Sequence, residues 1–178
     1  MKRVAILLTT IALSVGIAYA EGVVTSQNFH EMYNNGSLVV TNSNKTGTTD
    51  FVTYTCSGGT AKFYSDLSLT LGEICIFMTG SGAKVTTTTI NDLDSICIQY
   101  QPNAEYVDIK VSTSDDEGST WVVRTVVQKD AGISTVKMPS VGNYMIKIEK
   151  PSSTPYYIQQ INYVTAPPCN CLRVIVTE

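Results

Sequence analysis

Residues 143–150 read N-Y-M-I-K-I-E-K, with Tyr144, Ile146 and Ile148 at one phase and Lys147 and Glu149 at the other. Successive side chains of a strand point to opposite faces of its sheet, so this period of two predicts a strand with one face on a core and one in water. Antiparallel sheets carry that pattern. The run V-D-I-K-V at 107–111 repeats it, placing Val107, Ile109 and Val111 opposite Asp108 and Lys110. Working outward, the same alternation predicts strands at 51–56, 61–64, 74–79, 84–90, 95–100, 120–128, 134–138 and 156–164. Between them stand S-G-G, S-G-A, N-D-L-D, Q-P-N-A, A-G, V-G-N and P-S-S-T-P, which read as turns. Short strands at intervals of about 8 to 12 residues predict an all-β fold, an antiparallel β-sandwich of jelly-roll type. Helix is nearly absent, with one brief candidate at 27–33.

The first twenty residues have a different character. Lys2 and Arg3 precede an apolar run from 4 to 18, and Ala18-Tyr19-Ala20 closes it with small residues at the cleavage spacing. The run is short for a membrane span and is broken by Thr9, Thr10 and Ser14. It predicts a signal peptide at 1–20 and an exported protein, periplasmic, cell-surface or extracellular, with no transmembrane span in the mature form. The expected organisation continues with a partly irregular segment at 21–50, the sandwich at 51–165, and a Pro/Cys linker with a strand-like tail at 166–178.

Export removes Lys2 and Arg3, which takes the 12 cations to 10 against 15 carboxylates. Nucleic acid is not an expected partner, because phosphate binding draws on clustered Lys and Arg. Only Arg124 and Arg173 remain as arginines after residue 20. The five cysteines are Cys56, Cys75, Cys97, Cys169 and Cys171. Cys75 and Cys97 sit in matching settings, I-C-I-F and I-C-I-Q, and read as buried small hydrophobes ahead of a disulfide. Cys169-Asn170-Cys171 supplies two metal ligands where zinc takes three or four.

From Ser114 the chain reads S-D-D-E-G-S-T-W, ending at the only tryptophan. Asp116 suits backbone N–H groups inside a turn, and Gly118 suits a positive φ. Thr120 and Trp121 then open the returning strand. The stretch resembles the Asp-box pattern S-x-D-x-G-x-T-W at Ser114, Asp116, Gly118, Thr120 and Trp121. Asp-boxes recur in sialidase propellers, but those chains carry several copies and an arginine cluster for the substrate carboxylate, whereas this one has a single copy and two arginines. The expected role is a structural turn. Asp115, Asp116 and Glu117 are weak calcium candidates, since one acidic turn supplies only part of the six to eight oxygens calcium takes.

More broadly, V-D-I-K-V-S-T-S-D-D-E-G-S-T-W-V, G-N-Y-M-I-K-I and Y-Y-I-Q-Q-I-N-Y-V resemble the final strands of jelly-roll accessory domains of exported, often polysaccharide-processing proteins of Bacteroidetes-type bacteria. The resemblance spans about residues 50 to 165 and implies a noncatalytic module that binds glycan or positions a neighbour.

The residues themselves carry little catalytic machinery. His30 is the only histidine, and no G-x-S-x-G, H-E-x-x-H or glycine-rich phosphate loop is present. A small glycan hydrolase stands as the remote alternative, with Asp92, Asp94, Glu105, Asp108 and Glu149 as available acids. Ten tyrosines against four phenylalanines favour wet aromatic contacts, because tyrosine joins a flat apolar face to a polar tip. Tyr144 and Tyr163 fall at core phase. The expected glycan contacts are Tyr100 with Gln101 and Asn103, and Tyr156 and Tyr157 with Gln159. The competing reading is a structural or adhesive surface domain that mediates protein contacts.

Overall fold

The structure, a computed structural model, describes residues 22–40, 45–65, 74–101, 109–127, 133–150 and 155–166. It is an antiparallel β-sandwich. The strands are β1 (Val23–Asn28), β2 (Val39–Val40), β3 (Thr46–Thr48), β4 (Thr53–Ser57), β5 (Thr60–Ser65), β6 (Ile74–Thr79) and β7 (Ala83–Thr87). They continue with β8 (Ile90–Gln101), β9 (Ile109–Ser114), β10 (Val122–Val127), β11 (Ile133–Lys150) and β12 (Tyr156–Thr165). One helix, α1 (Phe29–Asn34), lies between β1 and β2.

One layer runs β5-β6-β12-β8 to the first part of β11, with β1 on the edge of β12 beside β6. The other runs β2-β3-β4-β7 to the last part of β11, then β9 and β10. Strand β11 therefore belongs to both layers. Its residues Ile133 to Lys137 pair with Cys97, Gln99 and their neighbours on β8, whereas Lys147 to Lys150 pair with β7.

The V-G-N and N-D-L-D stretches, expected as turns, instead lie inside β11 and β8 and face each other as irregularities. The ladder shifts register between Lys137 and Gly142, so Pro139 faces no partner that needs its missing N–H. Opposite, Asp92 adopts φ 52°, and its N–H donates to Asn143 Oδ1 at 3.2 Å. The turn residues of both stretches thus serve as bulges that bend two long strands across the sandwich. Strands at 23–28, 39–40 and 46–48 have no counterpart in the sequence-based expectation, because they are short or carry no alternation of polar and apolar residues. The predicted helix at 27–33 is displaced: Gln27 and Asn28 complete β1, and α1 begins at Phe29.

The core fills the space between the layers. Phe29, Tyr54 and Phe63 meet edge to face, with centroids 5.3, 5.7 and 6.3 Å apart. Ile76, Ile96, Ile98, Ile146, Ile148 and Ile158 are buried around them. Each such side chain contributes roughly 1.5–3 kcal/mol of transfer free energy. Tyr144 and Tyr163 are buried, in agreement with their phase. The Tyr163 hydroxyl donates to the Tyr54 hydroxyl at 3.1 Å, and burial raises the pKa of both.

Cys56, Cys75 and Cys97 are free thiols. Burial pushes Cys56 up to about 12, which leaves it protonated and inert. Cys75 is buried as expected, whereas Cys97 is only half-buried, which corrects the expectation of a buried residue there. The predicted signal peptide, Cys169 and Cys171 lie outside the described residues.

Candidate functional site

The outer face of the β5-β6-β12 layer carries a row of three aromatic rings. Phe77 lies between core residues Ile76 and Met78, and Tyr157 between Tyr156 and Ile158, so the pleat turns both outward. Tyr64 follows core residue Phe63 on β5 and is outward for the same reason. All three are half-buried. Tyr64 and Phe77 have centroids 5.2 Å apart with planes 35° from parallel, and Phe77 and Tyr157 are 5.1 Å apart at 41°. These spacings are close to the separation of neighbouring strands, which the rings inherit by standing on adjacent strands.

Polar groups flank the row at both ends. On the edge strand, Lys62 pairs in register with Phe77, and its Nζ lies 4.9 Å from the Tyr64 ring centroid. On the other side stand exposed Gln99 and half-buried Gln159, Gln160 and Asn162. Gln160 Nε2 donates to Asn162 Oδ1 at 2.7 Å. Flat apolar faces bordered by amides and an ammonium group suit a ligand that is itself flat on one side and hydroxylated at its rim.

The sequence-based candidates divide. Tyr157 and Gln159 belong to this face, and the backbone of Gln101 pairs with that of Tyr157. Tyr100 and Tyr156 do not belong to it. Each is 3% exposed, and their rings stack on each other in the core at 5.1 Å and 27°. This corrects the expectation that they offer open ring faces: adjacent residues of a strand face opposite ways, so exposing Tyr157 buries Tyr156. Asn103 lies outside the described residues. Tyr64, Phe77 and Lys62 were missed, because only sheet pairing brings them beside Tyr157.

The stretch at 114–121 forms the tight connection between β9 and β10, and its hydrogen bonds converge on two side chains. Asp116 Oδ1 accepts from Ser114 Oγ at 2.6 Å and from the Thr120 N–H at 2.8 Å, while Oδ2 accepts from Thr120 Oγ1 at 2.6 Å. Ser114 Oγ in turn accepts from the Gly118 N–H at 2.8 Å. Glu117 and Gly118 have φ 56° and 87°. Trp121 folds back over the turn, near where a Gly118 Cβ would stand, and Lys147 Nζ lies 4.6 Å from its ring centroid.

These bonds, from Ser114 and then Thr120, hold the Asp116 carboxyl down at about 2 from its ordinary 3.8. A carboxylate so held is an acceptor rather than a general acid. Both oxygens of Asp116, the central member of the calcium candidates Asp115, Asp116 and Glu117, accept hydrogen bonds within the turn. Among the described residues, no group of three His, Cys, Asp or Glu is disposed to hold a metal ion.

Because the folded-state pKa is depressed, the turn's contribution to stability is fully present above about pH 4 and is lost as pH falls toward 2. Asp116→Ala is expected to lower the melting temperature at pH 7, because it removes the acceptor for Ser114 and Thr120. Thermal melts at pH 7 and pH 2 check this: the wild-type advantage should shrink at the lower pH.

Comparison with known proteins returns no matching family model and no matching curated sequence. Among solved structures, the chain is similar to a low-affinity xylan-binding module, CBM86, from Roseburia intestinalis, at 13% identity and TM-score 0.47, covering 82% of this chain and 98% of that one. It is also similar to CpGH89CBM32-6 of Clostridium perfringens, at 12% identity and TM-score 0.47, covering 65% and 94%. A third is the family 32 carbohydrate-binding module of C. perfringens NanJ, in complex with galactose, at 13% identity and TM-score 0.45, covering 64% and 91%.

Proposed function

We propose that this chain is an exported, noncatalytic β-sandwich module that binds carbohydrate through the outer face of its β5-β6-β12 layer. The row Tyr64-Phe77-Tyr157 carries the reading. Sugar rings present C–H faces that stack on aromatic rings, and their hydroxyls take hydrogen bonds from amides such as Gln99, Gln159 and Asn162. Three rings on adjacent strands form a track across the sheet, which fits consecutive units of a polymer better than a single small molecule. Export rests on the leader-like residues 1–20. Among the described residues, no helix is long and apolar enough to cross a membrane.

The purified chain is expected to give saturable binding on a glycan array, with the same pattern in calcium and in chelator. Phe77→Ala and Tyr157→Ala are each expected to weaken that binding about tenfold, the scale of losing one stacked ring. Melting curves separate lost contact from lost fold. Unchanged affinity in both variants, with native melting, removes the aromatic row as the site.

A protein-binding role is the second reading, favoured by a specific observation. On β10, Val122, Val123 and Val126 are 45–50% exposed, and among the described strands β10 pairs only with β9. An open apolar strand edge is a template for pairing with another chain. A blank glycan array together with concentration-dependent association in sedimentation would favour it.

A further inference from the structure

We propose, building on the carbohydrate-binding reading, that a recess beside the aromatic row takes the carboxylate or sulfate substituent of an acidic polysaccharide. The recess lies at the connection from β4 to β5, where the chain passes from one layer to the other. It is lined by Lys45, Ser57, Gly58, Gly59, Thr60, Ala61 and Lys62, with a volume of about 200 Å³. That is smaller than the roughly 300–1,000 Å³ of a site enclosing a whole small ligand, so it suits a substituent of something held elsewhere.

Its lining is one-signed. Two lysines and two hydroxyl-bearing residues line it, and among the described residues no carboxylate lines it and neither lysine has an ion-pair partner. The chain as a whole carries −3. Charges beyond about 8 Å are largely screened at physiological salt, so the two lysines set the local potential.

Lys62 joins the recess to the row. It lines the recess, its ammonium lies over Tyr64, and its Cα is paired with that of Phe77. A sugar stacked on the row at Phe77, the position paired with Lys62, thus lies beside a cation, and a charged group on that sugar or its neighbour meets the recess that Lys62 and Lys45 line. Lysine meets such a group as a compact point charge, which accepts a carboxylate or a sulfate alike.

The test uses the full chain with three soluble polymers: polygalacturonate, a sulfated galactan and a neutral galactan. Affinity is measured by titration calorimetry at low and high sodium chloride. At least one charged polymer is expected to bind tenfold or more tightly than the neutral one, with affinity falling as salt rises. The Lys45→Gln/Lys62→Gln variant is expected to lower the charged-to-neutral affinity ratio about tenfold, with native circular dichroism. Phe77→Ala should weaken charged and neutral polymers alike.

Tighter binding of polygalacturonate assigns a carboxylate to the recess, and tighter binding of the sulfated galactan assigns a sulfate. Equal affinity for charged and neutral polymers, or a ratio unmoved in the double variant, overturns the recess and leaves the carbohydrate reading standing. No binding to any of the three, together with a blank glycan array, overturns both.

Discussion

Gly58→Ala is expected to destabilise the protein by about 3 kcal/mol or more, read as a shift in the urea midpoint at unchanged slope. Two effects add at this position. Gly58 has φ 66°, a left-handed conformation that costs a residue with a Cβ about 1–2 kcal/mol. A Cβ there would also stand next to the Gly82 carbonyl oxygen and 3.1 Å from its carbonyl carbon. Both atoms are backbone, so no side chain can rotate aside. The β4–β5 and β6–β7 connections touch at this point, and separating them displaces two passages between the layers at once. Gly82 provides the internal comparison, since it has φ 79° with nothing within 4 Å of the place a methyl group would occupy. Gly82→Ala should therefore cost only the conformational part, about 1–2 kcal/mol. Equal losses in the two variants would show that the connections part freely.

Tyr163→Ala is expected to cost about 3–5 kcal/mol, and Tyr163→Phe about 1–3 kcal/mol. The ring is fully buried and packs against Phe51 with centroids 5.4 Å apart, so truncation opens a cavity that the surrounding strands fill only in part. The phenylalanine variant keeps the ring and removes only the hydroxyl. It leaves the Tyr54 hydroxyl without its 3.1 Å partner in a site closed to water. Chemical denaturation of both variants separates packing from polar pairing. A phenylalanine variant as stable as wild type would mean that Tyr54 finds another partner or that a water enters.

The fold was legible because the alternation at the start of β9 and the end of β11 is strong and local. Ile109 and Val111, like Tyr144, Ile146 and Ile148, declare their face without reference to any other strand. Local signals misled where a turn residue served a long strand. Gly142 and Asn143 in β11, and Asn91 and Asp92 in β8, have the chemistry of a chain reversal, yet each pair sits opposite the other and bends the sheet instead. That pairing is non-local, and no window of sequence contains it.

The candidate site was legible in one strand out of three. Tyr157 is recognisable from β12 alone, although the same rule of alternation that exposes it should have withdrawn Tyr156. Phe77 lies in I-C-I-F-M-T, where apolar residues fill both phases and the outward ring looks like one more core residue. Tyr64 and Lys62 gain meaning only when β5 pairs with β6. The 114–121 stretch behaves differently: its hydrogen bonds close within eight residues, so its shape is contained in its own sequence.

Strand β11 has a mechanical consequence. A single uninterrupted backbone is a member of both layers, so the layers are not two plates free to slide over one another. Relative sliding would draw β11 along its length and would break its ladder to β8 on one side, or to β7 and β9 on the other. The layer that carries the aromatic face and the far layer are therefore tied by one backbone. A force directed along β11 would load its rows of ladder hydrogen bonds together rather than open them one at a time.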